Sequence, residues 1–269
     1  MKIEADYTMA NRIKGGDISY VREHMTVTGD SDVVFDFYMP WGNDLKFTAL
    51  YLAALYDQGE IVKYLLEIQA QVDMPVMDEH GEKCTPIGVA TGLTLDDVVE
   101  LLVQYGANPD FGSVGCWSPL RVAALRNNLS LAKLCIEKGV SVNDPVAGTM
   151  KTPLHVAAEN DSCDVIRFLL DQGVDVDVVD HRNATALHYA AAYGKACAVK
   201  LFCENGARHD IVDSDGSSAL DISIQRRKPS FSYGASDYAE ITRILYSFNA
   251  LPHRAWYKKL FCKPWDYSE

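Results

Sequence analysis

No run in this chain approaches the ~20 consecutive apolar residues that a membrane-spanning helix needs, so the sequence offers no candidate span. Met1 to Arg12 lacks the charged and apolar blocks of a secretion signal, and the expected compartment is the cytosol, with the nucleus open. Basic residues are scarce: 25 Lys and Arg stand against 37 Asp and Glu, which leaves a formal charge of -12. A phosphate backbone would be repelled by that excess, which argues against nucleic acid as a partner. The seven cysteines (Cys84, Cys116, Cys135, Cys163, Cys197, Cys203 and Cys262) contain no C-x-x-C pair and make an odd total. Neither a zinc knuckle nor a disulfide framework is expected, and they read as reduced thiols used as small hydrophobic residues. Also missing are a phosphate-cradling glycine loop, a nucleophile elbow and an H-E-x-x-H helix. The chain is therefore read as non-enzymatic, with no cofactor and no metal.

What the chain does have is repetition. Six copies of one motif recur: Thr48-Ala-Leu-Tyr-Leu-Ala-Ala, Thr85-Pro-Ile-Gly-Val-Ala-Thr, Ser118-Pro-Leu-Arg-Val-Ala-Ala, Thr152-Pro-Leu-His-Val-Ala-Ala, Thr185-Ala-Leu-His-Tyr-Ala-Ala and Ser218-Ala-Leu-Asp-Ile-Ser-Ile. Successive starts lie 37, 33, 34, 33 and 33 residues apart. Two positions after each Thr or Ser stands a Leu or Ile, and five positions after it a small residue: Ala53, Ala90, Ala123, Ala157, Ala190 and Ser223. Small side chains there let neighbouring helices approach closely. A second apolar stripe follows, such as Val165, Ile166, Leu169 and Leu170, at the spacing of one helix face. Thr85-Pro86, Ser118-Pro119 and Thr152-Pro153 are helix start signals, while Gly106, Gly139, Gly173 and Gly206 fall where a helix must stop. Each repeat thus reads as two short amphipathic helices.

A 33-residue period carrying T-P-L-H-x-A resembles the ankyrin repeat family. The resemblance implies an all-α solenoid of about seven helix-turn-helix repeats with short β-hairpin-like fingers. Such an array presents a surface for gripping a protein rather than a pocket for chemistry. His155 and His188 are then structural, bonding backbone groups of adjacent fingers, rather than metal ligands or acid-base groups.

Residues 1–250 are assigned to the repeats, with Tyr7 to about Pro40 as a degenerate first copy, and 251–269 to a basic, aromatic tail. The stretch Thr26 to Asp44 is about eight residues longer than an ordinary finger. It either folds over the cap or projects into a binding site. An insertion near 227–238 interrupts the last repeat and places two arginines before Ser230, the pattern of a basophilic kinase site. The tail is either a capping helix or a docking segment.

In the ankyrin family, partners usually contact the finger tips and the ends of the first helices. The tip column, one residue before each Thr or Ser, reads Phe47, Cys84, Trp117, Lys151, Ala184 and Ser217; the helix-end column, eight residues after it, reads Tyr56, Leu93, Arg126, Asn160, Tyr193 and Arg226. Both columns are expected to be free of packing duty. Partner-binding residues are accordingly placed at Tyr56, Trp117, Arg126, His181, Arg182 and Tyr193. The expected role is an adaptor, scaffold or inhibitor acting as a monomer on a protein with a basic patch. The alternatives are a substrate receptor of a ubiquitin ligase and an effector acting on host proteins.

Overall fold

A computed structural model describes residues 2–28, 34–38, 44–77, 83–108, 118–143, 145, 148–226 and 235–248. Ser230 and the tail 251–269, read above as a modification site and a cap or docking segment, lie outside them. The described residues form seven helix pairs in chain order: α1 (Lys2–Lys14) with α2 (Ile18–Thr28), α3 (Ala49–Leu55) with α4 (Gly59–Glu67), α5 (Pro86–Gly92) with α6 (Asp96–Gln104), α7 (Pro119–Arg126) with α8 (Leu129–Glu137), α9 (Pro153–Asn160) with α10 (Cys163–Asp171), α11 (Ala186–Ala192) with α12 (Ala196–Glu204), and α13 (Ala219–Arg226) with α14 (Ala235–Ser247). The all-α repeat architecture expected from the motif is the architecture found.

The chain divides into two compact units, one of Met1–Val122 with Ser130–Val140 and one of Ala123–Leu129 with Ser141–Glu269. Within the first, α3 packs on α1 and α5, and α4 on α2 and α6. Within the second, α11 packs on α9 and α13, and α12 on α10 and α14. First helices therefore stack on first helices and second on second, as a short repeat must do to bury an apolar face that it cannot cover alone. The small column makes the close approach: Ala53, Ala90, Ala123, Ala157, Ala190 and Ser223 are all 0% exposed.

Local chemistry sets the helix ends. Thr48 Oγ1 accepts the Tyr51 N–H at 3.1 Å and Thr85 Oγ1 the Gly88 N–H at 3.2 Å, so the hydroxyl column caps α3 and α5. Nine residues after the Thr or Ser, between the two helices of a repeat, the chain turns through the left-handed region at Asp57, Thr94, Asn127, Asp161 and Gly194, with φ between 55° and 75° at each. Gly16 (φ 73°) does the same in the degenerate copy. The stop glycines Gly106, Gly139, Gly173 and Gly206 have φ near +80°, and Gln69 (φ 65°) takes that position in the second repeat.

Side chains in these turns reach forward along the array. Asn127 Oδ1 accepts the N–H groups of Asp164 and Val165 at 3.2 and 3.3 Å, and Asp161 Oδ1 accepts that of Ala198 at 3.0 Å. Neither α10 nor α12 has a capping side chain of its own, so each N-terminus is satisfied by the preceding repeat. Asp73 likewise takes the Asn108 N–H and Asp177 that of Arg208.

The fingers vary. Strands β1 (Val34–Tyr38) and β2 (Asp44–Thr48) pair antiparallel from Val34↔Thr48 to Tyr38↔Asp44, and β1 lies against α1. The long stretch before the second repeat thus contains a hairpin that meets the cap. A shorter ladder joins β3 (Val76–Met77) to β4 (Lys83–Cys84), and one bridge joins Val179 to Thr185. Two residues before the Thr or Ser, Met150, Asn183 and Gly216 adopt positive φ, whereas Lys46 and Lys83 sit inside strands. The non-glycine residues there mark two finger geometries, not one irregular one.

In the last repeat α14 begins at Ala235, and Tyr238 within it donates its hydroxyl to the Ala192 carbonyl at 3.0 Å. One reading needs correction. The cysteines are not all isolated thiols: Cys163 and Cys197 are joined as a disulfide across α10 and α12, with Cα atoms 6.6 Å apart. Cys84, Cys135 and Cys203 are buried and form no disulfide, as expected of small hydrophobic residues.

Candidate protein-interaction surface

The histidines act locally. His155 Nδ1 accepts the Thr152 N–H at 3.1 Å and its Nε2 donates to the Ala184 carbonyl at 3.0 Å, tying the start of α9 to the next finger. His188 Nδ1 takes the Thr185 N–H in the same way. Burial lowers both imidazole pKa values, against the opposing pull of the Ala184 carbonyl on His155 and of Asp213 on His188, and so favours the neutral ring. Asp221 replaces histidine in the last repeat, accepting from the Ser218 hydroxyl and N–H at 2.7 and 3.0 Å.

Fingers of the second unit are built on carboxylates. Asp180 Oδ1 accepts the N–H groups of Arg182 and Ala184 at 2.8 and 2.9 Å, and Asp213 Oδ1 those of Asp215 and Ser217 at 3.0 and 2.8 Å. This folds each tip back on itself and holds the intervening residues out. Arg182 is held in that way, with Nη2 3.3 Å from Asp215 of the next finger. His181 Nδ1 donates to the Thr149 carbonyl at 2.7 Å and remains half in solvent.

Between these fingers and the first helices runs a groove of about 240 Å³, lined by Arg182, His188, Tyr189, Asp213, Gln225 and Arg226 among others. Tyr193 follows the groove residue Ala192 and is 55% exposed. Within the second unit, Arg126, Asn160, Tyr193 and Arg226 are all exposed, one at the end of each first helix, whereas Pro153 to Ala158 of α9 are all buried. The helix-end column therefore faces solvent at these four positions.

The tip column does not. Cys84, Ala184 and Ser217 are buried, Phe47 stacks on Tyr51 at 5.5 Å, and Lys151 pairs with Glu159 while its Nζ stands 4.2 Å over the Tyr189 ring. At these five positions the column packs. Trp117, placed in the site from this column, lies outside the described residues. Tyr56 belongs to the first unit, is 37% exposed, and carries Lys14 Nζ 5.1 Å above its ring. Of the six expected residues, Arg182 lines the groove and Tyr193 is next in sequence to its lining residue Ala192.

Sequence reasoning missed Asp180 and Asp213, five residues before the cap, together with Asp73 and Asp177, 25 residues after it. The signal was present: acidic side chains recur in both columns. It was obscured because the Asp180 position is occupied by Asp in only the last two fingers.

Three overlapping matches to the ankyrin repeat profile cover residues 24–113, 90–180 and 172–246. The chain is 33% identical over 147 residues, 53% of its length, to the chicken nuclear factor NF-kappa-B p105 subunit, and 42% identical over 69 residues, 26% of its length, to dauer abnormal formation protein 25 of Caenorhabditis elegans. The aligned regions span 14% and 18% of those two proteins. Its fold matches the solved ankyrin repeat domain of Bcl-3 with a TM-score of 0.60 at 19% identity, covering 88% of this chain and 97% of that one. An ankyrin repeat domain from Acinetobacter baumannii gives a TM-score of 0.59 at 25% identity, covering 75% of this chain and 98% of that one. Together the profile matches take in the capped helix pairs, the small column and the buried histidines, and this chain belongs to the ankyrin repeat family.

Proposed function

We propose that this chain is a non-enzymatic adaptor or inhibitor that binds another protein through the exposed helix ends and fingers of its second unit. Ankyrin repeats are a protein-interaction module, and the observation that carries the finer reading is the row Arg126, Asn160, Tyr193 and Arg226. Each is exposed at the end of a helix whose other residues are largely buried, so none is needed for stacking. Tyr and Arg are the residue types that most often dominate interface energetics, at ~2 kcal/mol or more each when a partner covers them. The net charge of -12 and the exposed carboxylates Asp210 and Asp215 favour a partner with a basic patch. On this reading the chain works as a monomer in the cytosol, where Cys84, Cys135 and Cys203 stay reduced.

Replacing Tyr193 and Arg226 together by Ala tests the surface. Affinity capture from a lysate should lose a partner that the wild-type chain retains, with the thermal midpoint unchanged. Equal recovery of all partners by both proteins would move the interface elsewhere.

A further inference from the structure

We propose that Cys163 and Cys197 form a reversible thiol-disulfide site that a peroxide closes and a small dithiol reopens, stapling α10 to α12. Cys163 is the first residue of α10 and Cys197 the second of α12, two helices that pack on one another. Their Cα atoms, 6.6 Å apart, lie inside the ~4.4 to 6.8 Å range that a disulfide spans. The pair straddles two repeats: 34 residues of chain separate the two sulfurs.

Accessibility singles the pair out among the described cysteines. Cys197 is exposed and Cys163 half-buried, whereas Cys84, Cys135 and Cys203 are buried. Burial pushes the Cys135 thiol up to about 12 and the Cys203 thiol up to about 11, which keeps both protonated and unreactive. Cys163 and Cys197 instead stand in the first turns of their helices, within reach of a reagent in solvent. Asp161, which turns the chain into α10, places Oδ1 3.7 Å from Cys163 Sγ and is held there by the Ala198 N–H. One side chain thus fixes both cysteine-bearing helix ends in register.

The chemistry balances with hydrogen peroxide as the oxidant. The Cys197 thiolate attacks one peroxide oxygen, breaking the O–O bond and leaving a sulfenic acid and hydroxide. The Cys163 thiolate then attacks that sulfur, forming the S–S bond and expelling a second hydroxide. The two thiol protons convert the hydroxides to two waters, and two electrons pass from the sulfur pair to the peroxide. A dithiol reverses the bond by exchange.

The test uses the full chain, fully reduced and then treated with a small excess of hydrogen peroxide. Intact mass should fall by about 2 Da, and trypsin digestion without reductant should release peptide 152–167 linked to peptide 196–200. Dithiothreitol should separate the two peptides. The thermal midpoint should rise by several degrees on oxidation, because the cross-link restricts the unfolded chain. Cys163→Ser should abolish the linked peptide and that rise, and leave Cys197 as a sulfenic acid that dimedone traps. Links formed instead through Cys116 or Cys262, or an equal rise in Cys163→Ser, would overturn the assignment.

Discussion

Asp180 takes two N–H groups on one oxygen and the Tyr189 hydroxyl, at 2.7 Å, on the other. Those hydrogen bonds outweigh burial and hold its carboxyl below the ordinary carboxylate pKa, while burial and Asp180 together raise that of Tyr189. Asp180→Ala should cost about 3 kcal/mol, since it strands buried donors of the finger and of α11 at once. Urea denaturation measures this. Asp215→Ala, which removes an exposed ion pair, is the control and should shift stability by less than about 1 kcal/mol. Little of this network was legible in the sequence, because a carboxylate serving its own backbone looks like any surface Asp. The two histidines were legible because they recur with the motif itself. Tyr193 and Arg126 were legible as exposed because the helix-end column follows directly from the apolar pattern.

At the scale of the element, two features recur among the described residues: a side-chain oxygen that caps first helices such as α3 and α5, and a left-handed residue at the inner turns. The starts could be read from Thr-Pro. The inner turn could have been read too, since Asp57, Asn127, Asp161 and Gly194 are residues that tolerate positive φ, although Thr94 breaks the pattern. Stacking itself rests on the small column, and Ala157, wholly buried between first helices, is its most direct test. Ala157→Leu adds three carbons where there is no space and should cost ~1 to 3 kcal/mol in a chemical denaturation experiment. A neutral substitution would mean that α9 and its neighbours do not meet at this position.

Across the whole molecule, acidity of the medium acts through the buried histidines. His155 and His188 have pKa values below 6.5 when folded and regain the ordinary value when unfolded. Between those values the unfolded chain binds more protons, so stability is present at neutral pH and is lost as pH falls through 6.5 towards the folded value. The urea midpoint should therefore drop between about pH 7.5 and about pH 5.5, before the carboxylates begin to titrate. An unchanged midpoint would mean that the two rings titrate alike in both states. The number of repeats and their order were legible because periodicity survives single-residue exceptions. The division into two units was not, since the motif runs through it unbroken.

The forward-reaching turns give the array a polarity. Asn127 and Asp161 each shelter the opening of a helix that comes later in the chain, and the one reply is Asp164 Oδ2, which accepts from Asn127 Nδ2 at 3.0 Å. Clipping repeats from the downstream side of the second unit would merely hand a carboxylate or amide back to water. Clipping from the upstream side would bare the start of a helix, at about 1 kcal/mol for each lost shelter. Erosion should thus be tolerated better at one margin than at the other, and shortened versions should be drawn from that tolerant margin.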